Sequence, residues 1–182
     1  VLDEADRMLD MGFIHDIRRI MALLPKKRQS LFFSATISRE IQKLSEELLS
    51  NPVSVAIAPK EPTVDRINQK VFFVDNKKKY SLLLSILEER ETKKVIIFTQ
   101  MKHTANKLAE KLGKSGVRSS AIHGNKSQTA RMKALDGFRS GRLRVLVATD
   151  VAARGIDVDG ITHVINYQLP KEPETYVHRI GR

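Results

Sequence analysis

Apolar residues recur along this chain in two rhythms. Ile14, Ile17, Met21 and Leu24 fall three or four positions apart, as do Ile41, Leu44 and Leu48, so each set covers one face of a helix. The same period returns in Leu82/Leu83/Ile86/Leu87, in Ala105/Leu108/Ala109/Leu112 and in Met132/Leu135/Phe138. Between these stretches lie short, largely apolar runs: Leu31–Phe33, Val53–Ile57, Val71–Val74, Val95–Phe98, Val145–Ala148 and Val164–Ile165, with Ser119–Ile122 a weaker member. Short apolar runs without alternation predict buried strands. Strands alternating with amphipathic helices predict an α/β fold of doubly wound parallel sheets. Ligands of such sheets bind beyond the carboxyl ends of the strands, so polar residues there are the candidates for chemistry.

One segment breaks the alternation. In Ala58-Pro59-Lys60-Glu61-Pro62-Thr63, two prolines bracket a charged pair without apolar periodicity, which predicts an extended linker over residues 59–66. Charge divides at the same place. Residues 1–58 carry 8 basic and 8 acidic side chains, whereas residues 59–182 carry 24 and 13 and hold the whole net charge of +11. A neutral module, 1–58, beside a basic one, 67–182, points to a polyanion facing the second. The 182 residues contain no cysteine, which removes disulfides, thiolate nucleophiles and Cys-ligated metals, and suits a reducing, cytoplasmic setting. No apolar run is long enough to span a bilayer, and no signal peptide opens the chain.

The densest chemistry is at the amino end, where Val1-Leu2 is followed at once by Asp3-Glu4-Ala5-Asp6. Three carboxylates at a strand end need a cation or solvent. Mg²⁺ is held by one or two carboxylates together with water and phosphate oxygens. Asp3 is the candidate metal residue, directly or through water, and Glu4 the candidate for positioning or deprotonating an attacking water. A helix N-terminus enriched in acids accounts for the same tetrad. Gly113-Lys114-Ser115 looks like the tail of a phosphate-binding loop, but position 108 is Leu and the segment follows a helical stripe. It reads instead as a helix C-terminus with Gly113 or Gly116 in the left-handed conformation.

Four motifs in order carry a resemblance: Val1–Asp6 (VLDEAD), Ser34-Ala35-Thr36 (SAT), Ala148–Asp157 (ATDVAARGID) and His178–Arg182 (HRIGR). Together they resemble the DEAD-box RNA helicases, most nearly the bacterial RhlE-type branch, over essentially the whole chain. The resemblance implies two RecA-like domains (P-loop NTPase-like parallel sheets) that close over ATP and RNA. It implies that the chain is a fragment: the first domain lacks its N-terminal part and the second its C-terminal part. The phosphate loop and an adenine-reading glutamine motif would lie upstream of Val1, leaving the fragment alone inactive.

Residue by residue, the resemblance implies that Asp3 and Glu4 are the Mg²⁺ and water-activating positions, with Asp6 tying the strand end to neighbouring motifs. Ser34 and Thr36 match the element linking the carboxylates to the domain interface; taken alone they read as an ordinary turn. Gly155 and Asp157 match nucleotide contacts, Asp157 at the ribose. His178 and Arg179 match the coupling motif, and Arg182 matches an arginine that reaches the γ-phosphate, where a guanidinium suits spreading negative charge. For RNA, the matching positions are Gly124, Gln128, Arg131, Thr149 and Arg154, with Arg131 pairing a phosphate unless it is simply a solvated helix arginine. Met101 stands where the family often has a threonine and receives no role. With 5% aromatics and no Trp, stacking platforms are not evident, so backbone contacts with weak sequence preference are expected. The function implied is RNA-stimulated ATP hydrolysis coupled to local unwinding or remodelling of RNA duplexes. A DNA translocase and a non-catalytic RNA-binding module are the competing readings, and the D-E-A-D spelling favours RNA.

Overall fold

The structure is a computed structural model that describes residues 1–10, 12–56, 67–153, 156 and 158–181. The chain divides into two compact units, Val1–Ala58 (unit 1) and Pro59–Arg182 (unit 2).

In unit 1, Leu2 and Phe32 form a parallel bridge in which Leu2 N donates to the Leu31 carbonyl and Phe33 N to the Leu2 carbonyl, both at 2.8 Å. Leu31–Phe33 is therefore reduced from the expected strand to this one bridge. Unit 1 has α1 (Ala5–Asp10), α2 (Ile14–Leu23) and α3 (Arg39–Leu48), of which α2 and α3 follow the apolar stripes. Helix α2 ends where it does because Leu24 precedes Pro25, and a residue before proline is pushed to extended geometry (φ −80°, ψ 149°). Helix α3 begins at Ser38, whose hydroxyl accepts the Ile41 amide at 3.3 Å; it buries Ile41 and Leu44, the stripe read from the sequence.

Unit 2 holds helix α4 (Lys79–Glu88), strand β1 (Val95–Phe98), helix α5 (Lys102–Lys114), β2 (Ser119–Ile122), α6 (Gln128–Arg139), β3 (Val145–Ala148), α7 (Asp150–Ala153), β4 (His163–Asn166) and α8 (Pro173–Ile180). The four strands are all parallel, in the order β2-β3-β1-β4, with Val95 opposite both Val145 and His163 and Ile122 opposite Ala148. Successive side chains of a strand face opposite ways. Val95, Ile97, Val145 and Val147 pack with Leu83, Leu87 and α5, while Ile96, Phe98, Leu146 and Ala148 pack with Phe138 and α7. Every position of β1 and β3 is buried, which is why those runs are apolar throughout rather than alternating.

Two expected strands are absent among the described residues. Val71–Val74 is extended but has no ladder, and Phe73 is 99% exposed; residues 53–56 are likewise unladdered, Ile57 lying outside the described residues. A β-branched run supplies propensity, but a strand needs a neighbour, which no local pattern encodes. The ambiguity between Gly113 and Gly116 resolves in favour of Gly116: α5 continues through Lys114, and Gly116 takes φ +80°. Among the described residues, no helix is long and apolar enough to cross a membrane.

Candidate active site and nucleic-acid interface

The bridge between Leu2 and Phe32 sets the ends of two extended segments side by side, so Asp3–Asp6 and Ser34–Thr36 emerge together. Ala5 N donates to the Phe33 carbonyl at 3.0 Å and continues the registration into the motifs. Asp6 then joins them. One of its oxygens accepts both the Thr36 amide (2.8 Å) and the Thr36 hydroxyl (2.9 Å), and the other accepts the Arg7 amide at 3.0 Å. Ser34 closes the turn by donating to the Thr36 carbonyl at 2.6 Å. Burial alone would raise the Asp6 pKa, but hydrogen bonds from the Thr36 hydroxyl and amide and the Arg7 amide outweigh it and hold the carboxyl below its ordinary value. Asp6 is thus an ionised structural tie rather than an acid or base.

Asp3 and Glu4 remain for chemistry. Asp3 is exposed, and one of its oxygens accepts the Glu4 amide at 2.9 Å. Glu4 has φ +51°, a left-handed conformation uncommon for a residue with a side chain and typical of functional turns. Its carboxylate lies 3.9 Å from the Arg7 guanidinium. Among the described residues no group of three or more acidic, His or Cys side chains could hold a metal. The donor set fits a cation that takes one carboxylate here and fills its remaining positions from water and phosphate, as Mg²⁺ does.

In unit 2, Gly124 and Thr149 lie at the carboxyl edge of the sheet. Gly124 follows β2 by two residues and Thr149 follows β3 directly; because Ile122 and Ala148 are paired, the two lie on adjacent strand ends. Thr149 N donates to the Ile122 carbonyl at 3.3 Å, which ties them. Gln128 opens α6, and Arg131 is half-buried one turn later on the same face. A Cβ at Gly124 would meet nothing within 4 Å, so this glycine answers to no internal packing demand. His123 is buried, and burial first, then Lys126 and Lys102, lowers its pKa. Its Nδ1 accepts the Asn125 amide at 3.3 Å, which leaves Nε2–H to donate to Asn106 Oδ1 at 2.9 Å. The neutral ring holds the loop that carries Gly124, with Lys102 bonded to Asn125 at 3.0 Å beside it.

His178 is half-buried in the last turn of α8, next to Arg179, which is fully buried within unit 2. Arg154, Gly155, Asp157 and Arg182 lie outside the described residues. Sequence reasoning missed a set of polar side chains that shape this edge: Asp150, Asn166, Gln168 and Gln100. Gln100 N donates to Gln168 Oε1 at 2.9 Å and Gln100 Nε2 to the Leu169 carbonyl at 2.7 Å, joining the ends of β1 and β4. Only Asp150 had a sequence signal, being inside the ATDVAARGID motif.

Comparison with known proteins accords with this geometry. The DEAD/DEAH box helicase family matches residues 1–44, and the helicase conserved C-terminal domain matches residues 78–182. The ATP-dependent RNA helicase RhlB of Pseudomonas aeruginosa is 45% identical over the whole chain, which covers 46% of that protein. The DEAD-box ATP-dependent RNA helicase CshA of Geobacillus kaustophilus is also 45% identical, with 100% of this chain and 39% of that protein covered. The chain therefore spans less than half the length of these relatives. Among solved structures, S. cerevisiae Dbp5 bound to RNA and ADP BeF3 matches with a TM-score of 0.81 at 32% identity, covering 100% of this chain and 48% of that one. A DEAD box protein from Methanococcus jannaschii matches at 38% identity and TM-score 0.63, with 100% and 48% covered. The paired DEAD and SAT segments, the parallel α/β sheet and these relatives lead to one conclusion: the chain belongs to the DEAD-box helicase family.

Proposed function

We propose that the protein is an ATP-dependent RNA helicase, an RNA-stimulated ATPase that locally unwinds or remodels RNA duplexes in the cytoplasm. Residues 1–58 belong to the first RecA-like domain, 59–66 to the linker and 67–182 to the second domain. ATP hydrolysis is coupled to closure of the two domains. The RhlE-type branch stays part of this proposal on the sequence resemblance.

The observation that carries the reading is the Asp6–Thr36 tie. It fixes the strand end bearing Asp3 and Glu4 against the SAT turn, so a change at the carboxylates is mechanically linked to a second motif. Asp3 is the residue that would hold Mg²⁺, directly or through water, and the bound ion supplies neutralisation of phosphate charge. Glu4 accepts a proton from, or orients, the water that attacks the γ-phosphate. His178 and Arg182 serve the nucleotide from the second domain, Gly155 and Asp157 contact the nucleotide, and Arg182 stabilises charge spreading over the transferred group. Gly124, Gln128, Arg131, Thr149 and Arg154 bind the RNA backbone, aided by Lys102 and Lys126.

The experiment is RNA-stimulated phosphate release by the full-length protein and its Glu4→Gln variant. Loss of about a hundredfold or more in turnover, with RNA binding retained, is expected for removal of a water-activating carboxylate. Turnover near the unmodified rate would take Glu4 out of this role.

A further inference from the structure

Helix α5 has two opposed faces. Ala105, Leu108, Ala109 and Leu112 are buried and pack on the sheet, while His103, Lys107, Glu110, Lys111 and Lys114 are exposed. At about 3.6 residues per turn, those five fall together on the side away from the core. Glu110, the acid of this face, is taken up by Lys114 at 2.9 Å. Lys111 Nζ lies 3.7 Å from the centre of the Tyr80 ring, and the Tyr80 hydroxyl is bonded to the Lys111 carbonyl and to Ser115 Oγ, both at 2.9 Å. Tyr80 belongs to α4, so this tie sets the run Lys77-Lys78-Lys79 near the last turn of α5. Helix stability does not account for the stripe. Lys107 and Lys111, and Lys111 and Lys114, are like charges four and three positions apart, and they repel. Lys102 stands in a first turn without acids, where the helix dipole opposes a cation. Lys111 and Lys114 suit the dipole at the other end, but Lys107, in the middle, gains nothing from it.

The amino end of the stripe meets the loop that carries Gly124, a candidate RNA contact. Lys102 Nζ donates to Asn125 Oδ1 at 3.0 Å, and Asn106 Oδ1 accepts from His123 Nε2 at 2.9 Å, one tie on each side of Gly124. From His103 to Lys114 the stripe runs about 16 Å along the helix. We propose that this face of α5, extended by Lys77, Lys78 and Lys79, is an accessory track for RNA. It holds the phosphates of the single strand where that strand leaves the Gly124 contact. The proposal rests on the helicase reading and goes beyond it, since the motifs that carry the family resemblance include none of these residues. Charge and composition favour RNA over a protein partner. The cations are lysines, which protein interfaces disfavour, and among the described residues of α5 no large apolar side chain is exposed to anchor one. Lysine is a mobile point charge that follows a chain of phosphates without demanding one geometry. Lys111 covers a face of the Tyr80 ring, and Lys79 Nζ lies over the Tyr167 ring at 5.0 Å, so that face of each ring is closed to a base. The track therefore adds affinity with strand length, without sequence preference and with strong dependence on salt.

The test uses the full-length protein with a non-hydrolysable ATP analogue and fluorescent oligo(U) strands of about eight and about sixteen nucleotides, with affinity read by anisotropy. The variants are Lys107→Gln/Lys111→Gln; Lys107→Glu alone, which leaves the Lys111–Tyr80 contact in place; and Lys26→Gln/Lys27→Gln in unit 1, a control that loses the same charge as the first. A longer strand offers more binding registers to every variant alike, so each is compared with the parent at the same length. Lys107→Gln/Lys111→Gln is expected to weaken the longer strand about tenfold and the shorter by less than about twofold. It should also lower the slope of log affinity against log salt for the longer strand by about 1.5. Lys107→Glu is expected to weaken the longer strand about fivefold, and decides alone if the double variant does not fold; the control should weaken neither strand by more than about twofold. Equal weakening of both lengths, or an equal loss in the control, overturns the proposal. So does a longer-strand affinity within about twofold of the parent in the α5 variants, the result if the face serves an acidic protein instead. A parent that binds neither strand, and whose ATP turnover RNA does not raise, overturns the helicase reading itself, and that result is read before any variant is compared.

Discussion

In unit 2 the candidate RNA residues Gly124 and Thr149 stand just past the ends of strands whose backbones are paired along their length, whereas in unit 1 the acidic tetrad and Ser34–Thr36 rest on one bridge, Leu2 to Phe32, and on the carboxylate of Asp6. The first arrangement gets its precision from shared backbone ladders and from apolar layers on both faces. The second gets it from a polar tie between two turns, with Glu4 held at φ +51°. A sheet-end site is as stable as its sheet; a tied site is as stable as its tie, and protonation can weaken it.

Core truncation separates the two most strongly. Phe138→Ala in the buried layer of unit 2 is expected to destabilise that unit by about 3–5 kcal/mol, whereas Leu23→Ala, at a position 86% exposed in unit 1, should change stability by less than about 0.5 kcal/mol. The chain has three tyrosines, Tyr80, Tyr167 and Tyr176, all in unit 2, and no Trp, so tyrosine fluorescence in a denaturant titration reports unit 2. An unmoved tyrosine transition in Phe138→Ala would break the comparison.

A middle-sized effect is expected at Asp6. Because its folded pKa is depressed, its contribution is complete above the unfolded carboxylate value and is lost as pH falls through the lowered folded value, that is, in the acid range below about 4. Asp6→Ala should cost unit 1 about 1–2 kcal/mol at neutral pH, and should flatten the acid decline in amide hydrogen-exchange protection around Thr36. The same decline in the variant would assign it to another group.

The smallest effect should be the same in both units. Ser38 caps α3 and Ser127 caps α6, each accepting an amide three residues on, at 3.3 and 3.2 Å. Cap bonds are local, so alanine at either position should cost about 1 kcal/mol, read from amide hydrogen-exchange protection in α3 and in α6. Unequal losses would mean that the surrounding packing, rather than the cap, sets the value.

What the sequence disclosed follows the same division between local and distant causes. Val95–Phe98 and Val145–Ala148 were legible as strands because a run apolar at every position needs burial on both faces. Val71–Val74 carries equal propensity and forms no ladder among the described residues, since pairing depends on a partner elsewhere in the chain. Helices α1, α7 and α8 escaped the periodicity because two are shorter than two turns, and the third opens with Pro173 and carries polar residues through much of its length. The tetrad and the SAT element were readable as motifs, but the Asp6–Thr36 bond spans thirty positions and only the fold reveals it. Arg179 stood inside a quoted motif, yet its partners Asp150, Asn166 and Gln168 lie 29, 13 and 11 residues away, so its burial had no local sign.

The strand order has a consequence for synthesis on the ribosome. Among the described residues, β1 borders only β3 and β4, and β2 borders only β3. Since Val95 pairs with Val145, the first strand made must wait about fifty residues for a neighbour, and β2 waits with it. Emergence of β3 is the event that lets either of them be captured. Until then the apolar β1 has no ladder partner, and nascent-chain chaperones have most to protect in that interval.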